Sequence, residues 1–235
     1  MMHRFFTIRP EAPPRAVLEQ WYSTSPLGKR LREQLNKDMG VILDQWFGYN
    51  LLVIGPNTDI PISEMTRVRR VLQVLDREQQ LRKGYTGVYA HDEELPLETE
   101  SVDVVVVLNA LDLSIHPHQL LREVHRVLTP HGHLLIVGTN GWSISGLWHR
   151  LARLVTGYRS EHARAPGLRR LEDWLTLLEF AIAPVRHKLV VPAAGSSRWT
   201  RWLVSVDEWL VDHNIPFGST YMIFADKLVR GNTKM

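Results

Sequence analysis

The chain has no cysteine among its 235 residues, so it has no disulfide, no thiol nucleophile and no thiolate metal site. Long hydrophobic runs are also missing, and no apolar stretch approaches the roughly 20 residues that cross a bilayer. The opening MMHRFFTIRPEAPPR carries early charge but no apolar stretch of the kind a secretory leader needs. A cytoplasmic protein is the expectation. Charge of one sign is scarce: the formal net charge is only +3. Lys and Arg are scattered and form no stripe with interleaved aromatics, so there is no strong nucleic-acid signal. The HExxH, P-loop and G-x-S-x-G patterns are absent, which leaves zinc proteolysis, NTP hydrolysis and α/β-hydrolase chemistry without support. No metal is expected, because His116-Pro117-His118 reads as the start of a helix with proline in its first turn.

What is present centres on Leu95 to Val137. Two apolar runs, VDVVVVL (102–108) and HLLIV (133–137), flank a helical pattern, PHQLLREVHRVL (117–128), stopped by Pro130 and Gly132. Unbroken β-branched runs suit strands buried on both faces of a parallel sheet. The connection is long enough for a helix, which makes strand–helix–strand the natural unit. Leu120, Leu121, Val124, Val127 and Leu128 recur at three- and four-residue spacing and give that helix one apolar face.

The rest of the chain supplies matching pieces. Residues 15–22 and 29–47 read as helices, with Ser25 a candidate cap between them. Leu31, Leu35, Met39, Ile42, Leu43, Trp46 and Phe47 form the apolar stripe of the second. Strands are expected at 50–55, 68–75, 88–89, 101–108, around 180–191 and at 221–229. Further helices are expected at 145–155, 168–178 and 198–213. Residues 159–170 read as a polar surface loop. The organisation expected is an N-terminal helical segment (1–48) and an α/β domain (49–235) with a loop at 156–170 and a helical insertion at 196–214. Docking onto the domain is the plainest role for the 198–213 helix; a homodimer contact through it is the sharper alternative.

From about Asn50 to Leu189, the order LPL…SVDVVVV…LLREVHRVLTPHGHLLI resembles a class I S-adenosylmethionine-dependent methyltransferase. The resemblance implies an α/β fold: a Rossmann-like, seven-stranded, mostly parallel sheet with helices on both faces. It implies S-adenosylmethionine as cofactor, bound along the carboxyl edge of the sheet. The family's glycine-rich loop falls on Gly55-Pro56-Asn57-Thr58-Asp59, where only the first glycine is kept. Gly55 is either a cofactor contact or simply a turn, and Asn57 could take the left-handed dihedrals of the second glycine. Asp76 stands where a carboxylate would accept from the ribose hydroxyls, with Glu78 as fallback; its other reading is a solvated residue in a charged run. His91 and Asp92 fall where the family contacts the adenine amino group, and an acidic loop is the alternative there.

Asn109 and Asp112 lie at the carboxyl end of the fourth strand and could face the donor methyl or serve as cap and turn residues. NALD is not the N/D-P-P-Y/F motif of amine-methylating branches, which argues against that kind of DNA or glutamine methylation. Asn140 and Trp142 are the candidate acceptor-binding groups. Asp112 and His149 are weak candidates for a base, and the resemblance permits Trp21 and Tyr22 to shape the pocket. The function expected is methyl transfer to an unidentified acceptor. The alternative is a catalytically inactive relative that keeps the fold and serves as a binding or scaffold module.

Overall fold

The computed structural model of the protein describes residues 14–24, 26–75, 81–139, 166–184, 186–188 and 220–228. Eight strands form one sheet: β1 (Asn50–Ile54), β2 (Arg70–Leu75), β3 (Thr86–Tyr89), β4 (Val102–Leu108), β5 (Leu128–Thr139), β6 (Phe180–Ile182), β7 (Arg186–Lys188) and β8 (Thr220–Lys227). The helices described are α1 (Pro14–Thr24), α2 (Pro26–Leu43), α3 (Ile62–Met65), α4 (Ala110–Leu113), α5 (Pro117–Val127) and α6 (Leu168–Leu177).

The strand order is β3-β2-β1-β4-β5-β8-β6, with β7 also paired to β8. The pairings among β1 to β5 are parallel. Those of β8 with β5, β6 and β7 are antiparallel. The sheet is therefore mixed, and this corrects the mostly parallel sheet expected. It also corrects the strand count. The single strand expected around 180–191 is two short ones on the same side of β8, and Pro184, which cannot donate to a ladder, lies between them.

The sheet is buried on both faces, as the β-branched runs require. Leu52, Ile54, Leu72, Val74, Val105, Val107, Leu134 and Ile136 point to one face. They meet Leu120, Leu121, Val124 and Val127 of α5 and Leu171 and Leu175 of α6. Burying those four α5 side chains contributes on the order of 8 kcal/mol of transfer free energy. Leu51, Val53, Val71, Val104, Val106, Leu135 and Val137 point to the other face and meet Leu31, Leu35, Met39 and Leu43 of α2. Those four positions recur every fourth residue and make one helical stripe.

α2 ends at Leu43, short of the expected 47, and Phe47 is exposed. The chain must turn here to enter β1. The Asp103 carboxylate accepts from the backbone N–H of Tyr49 at 2.7 Å and of Asn50 at 3.0 Å, and so anchors the entry. A second difference lies in β5, which begins at Leu128 opposite Val102 and resumes at His133 opposite Val104. His131 has a left-handed φ of 61° in that irregular stretch.

Among the described residues no helix is long and apolar enough to cross a membrane.

Candidate functional site

The carboxyl ends of β1, β3 and β4 lie along one edge of the sheet, and the polar groups there come from short loops. After β1, Gly55 has φ of 132°, and a Cβ on it would stand 2.0 Å from the Leu108 carbonyl oxygen. Glycine is required there because β1 and β4 approach each other, a reason independent of any ligand. The left-handed residue of the turn is Asp59 (φ 56°), not Asn57 as expected. Asp59 faces solvent and pairs with Arg32 of α2 at 3.3 Å. Thr58 is buried. The crossover from β1 to β2 contains only the single turn α3.

After β3, His91 is exposed and closes a small bridge with Glu94, whereas Asp92 is 4% exposed. Of the two candidates at this position, the carboxylate is the one the fold buries. Asp92 is paired with Arg15 of α1.

After β4 lies a buried polar chain. Asn109 adopts left-handed dihedrals (φ 50°, ψ 9°) and caps α4, and its N–H donates to the Val137 carbonyl at 2.7 Å. The Tyr22 hydroxyl donates to Asn109 Oδ1 at 3.0 Å, and Asn109 Nδ2 donates to Asp112 Oδ2 at 3.0 Å. The same Asp112 oxygen accepts from the Thr139 N–H at 2.8 Å and from the Thr139 hydroxyl at 2.9 Å. Asp112 Oδ1 is buried and has no hydrogen-bond partner among the described residues. Burial pushes the Asp112 carboxyl up to about 6, against the hydrogen bonds from Asn109 and Thr139 that favour its ionised form. Burial, and then the Asp112 charge, raise the Tyr22 and Tyr221 phenols.

Sequence reasoning admitted Tyr22 of α1 but missed Arg15 and Glu19. Arg15, Glu19 and Tyr22 fall on one stripe of that helix. Each reaches a different loop: Arg15 meets Asp92, Glu19 Oε1 accepts from the Asn57 N–H at 2.6 Å, and Tyr22 meets Asn109. The polar i, i+4, i+7 spacing was visible in the sequence, but its partners lie 38 to 87 residues away. A cleft of about 160 Å³ remains beside this edge, lined by Arg15, Asp92, Leu113, Ser114 and Ile115 among others. Asp76, Glu78, Asn140, Trp142, Trp148 and His149, and the helices expected at 145–155 and 198–213, lie outside the described residues.

Comparison with known proteins agrees with this geometry. A family model described as a methyltransferase domain matches residues 60–136. The uncharacterized protein YafS of Escherichia coli (strain K12) is 30% identical over 181 residues, which cover 77% of this chain and 72% of that protein. A SAM-dependent methyltransferase of Thermotoga maritima superposes with a TM-score of 0.64 at 16% identity, over 90% of this chain and 95% of that one. The [4+2]-cyclase SpnF shares the fold with a TM-score of 0.52 at 16% identity, over 86% of this chain and 82% of that one. The chain belongs to the class I methyltransferase family.

Proposed function

We propose that the protein is an S-adenosylmethionine-dependent methyltransferase acting on an acceptor still to be identified. The observation that carries this reading is the edge formed by β1, β3 and β4, which gathers the Asn57 amide, the buried Asp92 carboxylate and the Asn109–Asp112 pair in a chain of this family. The donor set fits the cofactor. A carboxylate at Asp92 accepts from an exocyclic amine, and a backbone amide at Asn57 donates to an amino-acid carboxylate. Gly55 keeps the β1 turn tight, Asp76 is assigned to the ribose hydroxyls, and His91 flanks the adenine end. When bound, the sulfonium supplies an electrophilic methyl group.

The remaining chemistry falls to the chain. Methyl transfer is an in-line displacement, so alignment of the two partners supplies much of the rate. Asp112 is assigned as proton acceptor, because one of its buried oxygens has no hydrogen-bond partner among the described residues and its pKa of about 6 lies near working pH. Tyr22 and Asn109 hold it from one side and Thr139 from the other. Asn140, Trp142 and His149 are assigned to the acceptor side.

One observation favours a second reading, a binding module without catalysis. The crossover after β1 has only one turn of helix, and its Asn57 amide is already satisfied from within the protein. The SpnF likeness also shows that this fold hosts chemistry other than methylation. Titration calorimetry with S-adenosylmethionine and S-adenosylhomocysteine separates the two. The methyltransferase reading expects roughly micromolar binding that is lost in Asp76→Ala. Folded protein that binds neither compound at about millimolar concentration would leave the binding-module reading standing.

A further inference from the structure

We propose that α1 is a built-in competitor for the cofactor crevice, and that cofactor binding displaces it. The inference rests on the methyltransferase reading, and its observations are contacts of α1. Arg15 places a guanidinium, a planar array of N–H donors, on the buried Asp92 carboxylate. In the reading above, Asp92 is where the adenine amine donates. Glu19 places a carboxylate on the Asn57 amide at 2.6 Å. That amide is where the amino-acid carboxylate of the cofactor would accept. One helix thus offers N–H donors to one end of the edge and a carboxylate acceptor to another, the two functions that the adenine amine and the amino-acid carboxylate of the cofactor would supply.

Two further features agree. The cleft beside Arg15 holds about 160 Å³, below the 300–1,000 Å³ of ordinary small-molecule pockets. α1 and α2 are separated by one residue, and α2 opens with Pro26, which cannot donate a backbone hydrogen bond to α1. α2 is locked to the sheet by Leu31, Leu35, Met39 and Leu43, whereas the sheet-edge contacts of α1 include the polar pairs of Arg15 and Glu19. Release of α1 withdraws Tyr22, with Leu18 and Trp21, from that core but leaves the four α2 side chains against the sheet.

The linkage consequence is quantitative. If the binding-competent state is a minor fraction, the apparent affinity is reduced by that fraction, and weakening the closed state restores it. The probe is S-adenosylhomocysteine, titrated calorimetrically into the full chain and into an Arg15→Ala/Glu19→Gln double variant, with hydrogen exchange of residues 14–24 followed in both. The expected result is binding about tenfold tighter in the double variant, with the α1 amides of the wild type exchanging faster once ligand is added. Glu19→Gln alone, nearly isosteric, is expected to move the affinity in the same direction by less. Equal or weaker binding by the variants, or slower α1 exchange in the liganded wild type, overturns the proposal and makes α1 a cover that clasps the ligand. Absence of binding by every folded protein, wild type included, is a different result: it removes the methyltransferase reading and the competition with it.

Discussion

The crossover from β4 to β5 and the crossover from β1 to β2 leave the same edge of the sheet, yet they are built differently. Residues 109–127 form α4 and α5 and satisfy part of their polar groups within the crossover, while Asn109 Oδ1 takes the Tyr22 phenol and Ser114 donates to Glu93. Ser114 accepts from the His116 N–H, and Asp112 receives Asn109 and Thr139 from within the same crossover and the strand that follows it. Arg126 and Glu123 of α5 clasp the backbone of Leu95 and Leu97. Residues 55–69 hold one helical turn and take outside help: Glu19 for the Asn57 amide, Arg32 for Asp59 and Arg82 for the Ile60 carbonyl. One crossover carries two helices of its own, whereas the other carries a single turn and leans on α1 and α2 through Glu19 and Arg32. The second arrangement leaves polar groups whose partners can be exchanged, and that is where a ligand can enter.

Three experiments would break or sharpen this contrast. The largest effect is expected from Gly55→Ala. Its Cβ would collide with a backbone carbonyl that cannot yield as a side-chain end could, at a φ that L residues avoid. A loss of about 3 kcal/mol or more in urea unfolding is expected. A loss below about 1 kcal/mol would mean that the β1 crossover relaxes more freely than the contact with β4 allows.

Asp112→Asn tests the β4 crossover. The folded chain holds the Asp112 proton up to about pH 6, whereas an unfolded aspartate releases it near 4. The stabilising contribution is therefore fully present below about pH 4 and is lost as pH rises through 6. The difference in unfolding free energy between pH 4 and pH 7 should shrink by about 2–3 kcal/mol in the variant. An identical pH dependence in both proteins would show that folding leaves the Asp112 titration unshifted. The smallest effect is expected from Tyr22→Phe, which links the two regions. It leaves Asn109 Oδ1 without its phenol donor, at a cost of about 1–2 kcal/mol. A neutral outcome in thermal unfolding would mean that α1 is not fastened to the β4 crossover.

These two crossovers also mark where the sequence could be read. The β4 and β5 runs and the α5 stripe are dictated by local periodicity, and Val104–Val107, Leu120, Leu121 and Val124 lie where that periodicity puts them. Reading ended at β5, because Leu128 joins its strand through a long-range register with Val102 that no window of sequence displays. In the β1 crossover, Gly55 was legible as a turn but not as a point of strand approach. Asn57 was assigned a left-handed conformation on its residue preference, and Asp59 takes it instead, stabilised by Arg32 from another element. Arg15 and Glu19 carried no signal as single residues. Their meaning depends on partners brought together only by the whole fold.

β8 sits between β5 and the β6–β7 edge, pairing with all three, and it is the last of the described strands in chain order. During synthesis on a ribosome, β5 has an unprotected side and β6 and β7 have no sheet to join until residues 220–227 emerge. The edge formed by β1, β3 and β4 is complete long before that. Assembly of the described sheet thus runs outward from the β1–β4 side, and it is completed by a strand inserted antiparallel between β5 and the β6–β7 edge.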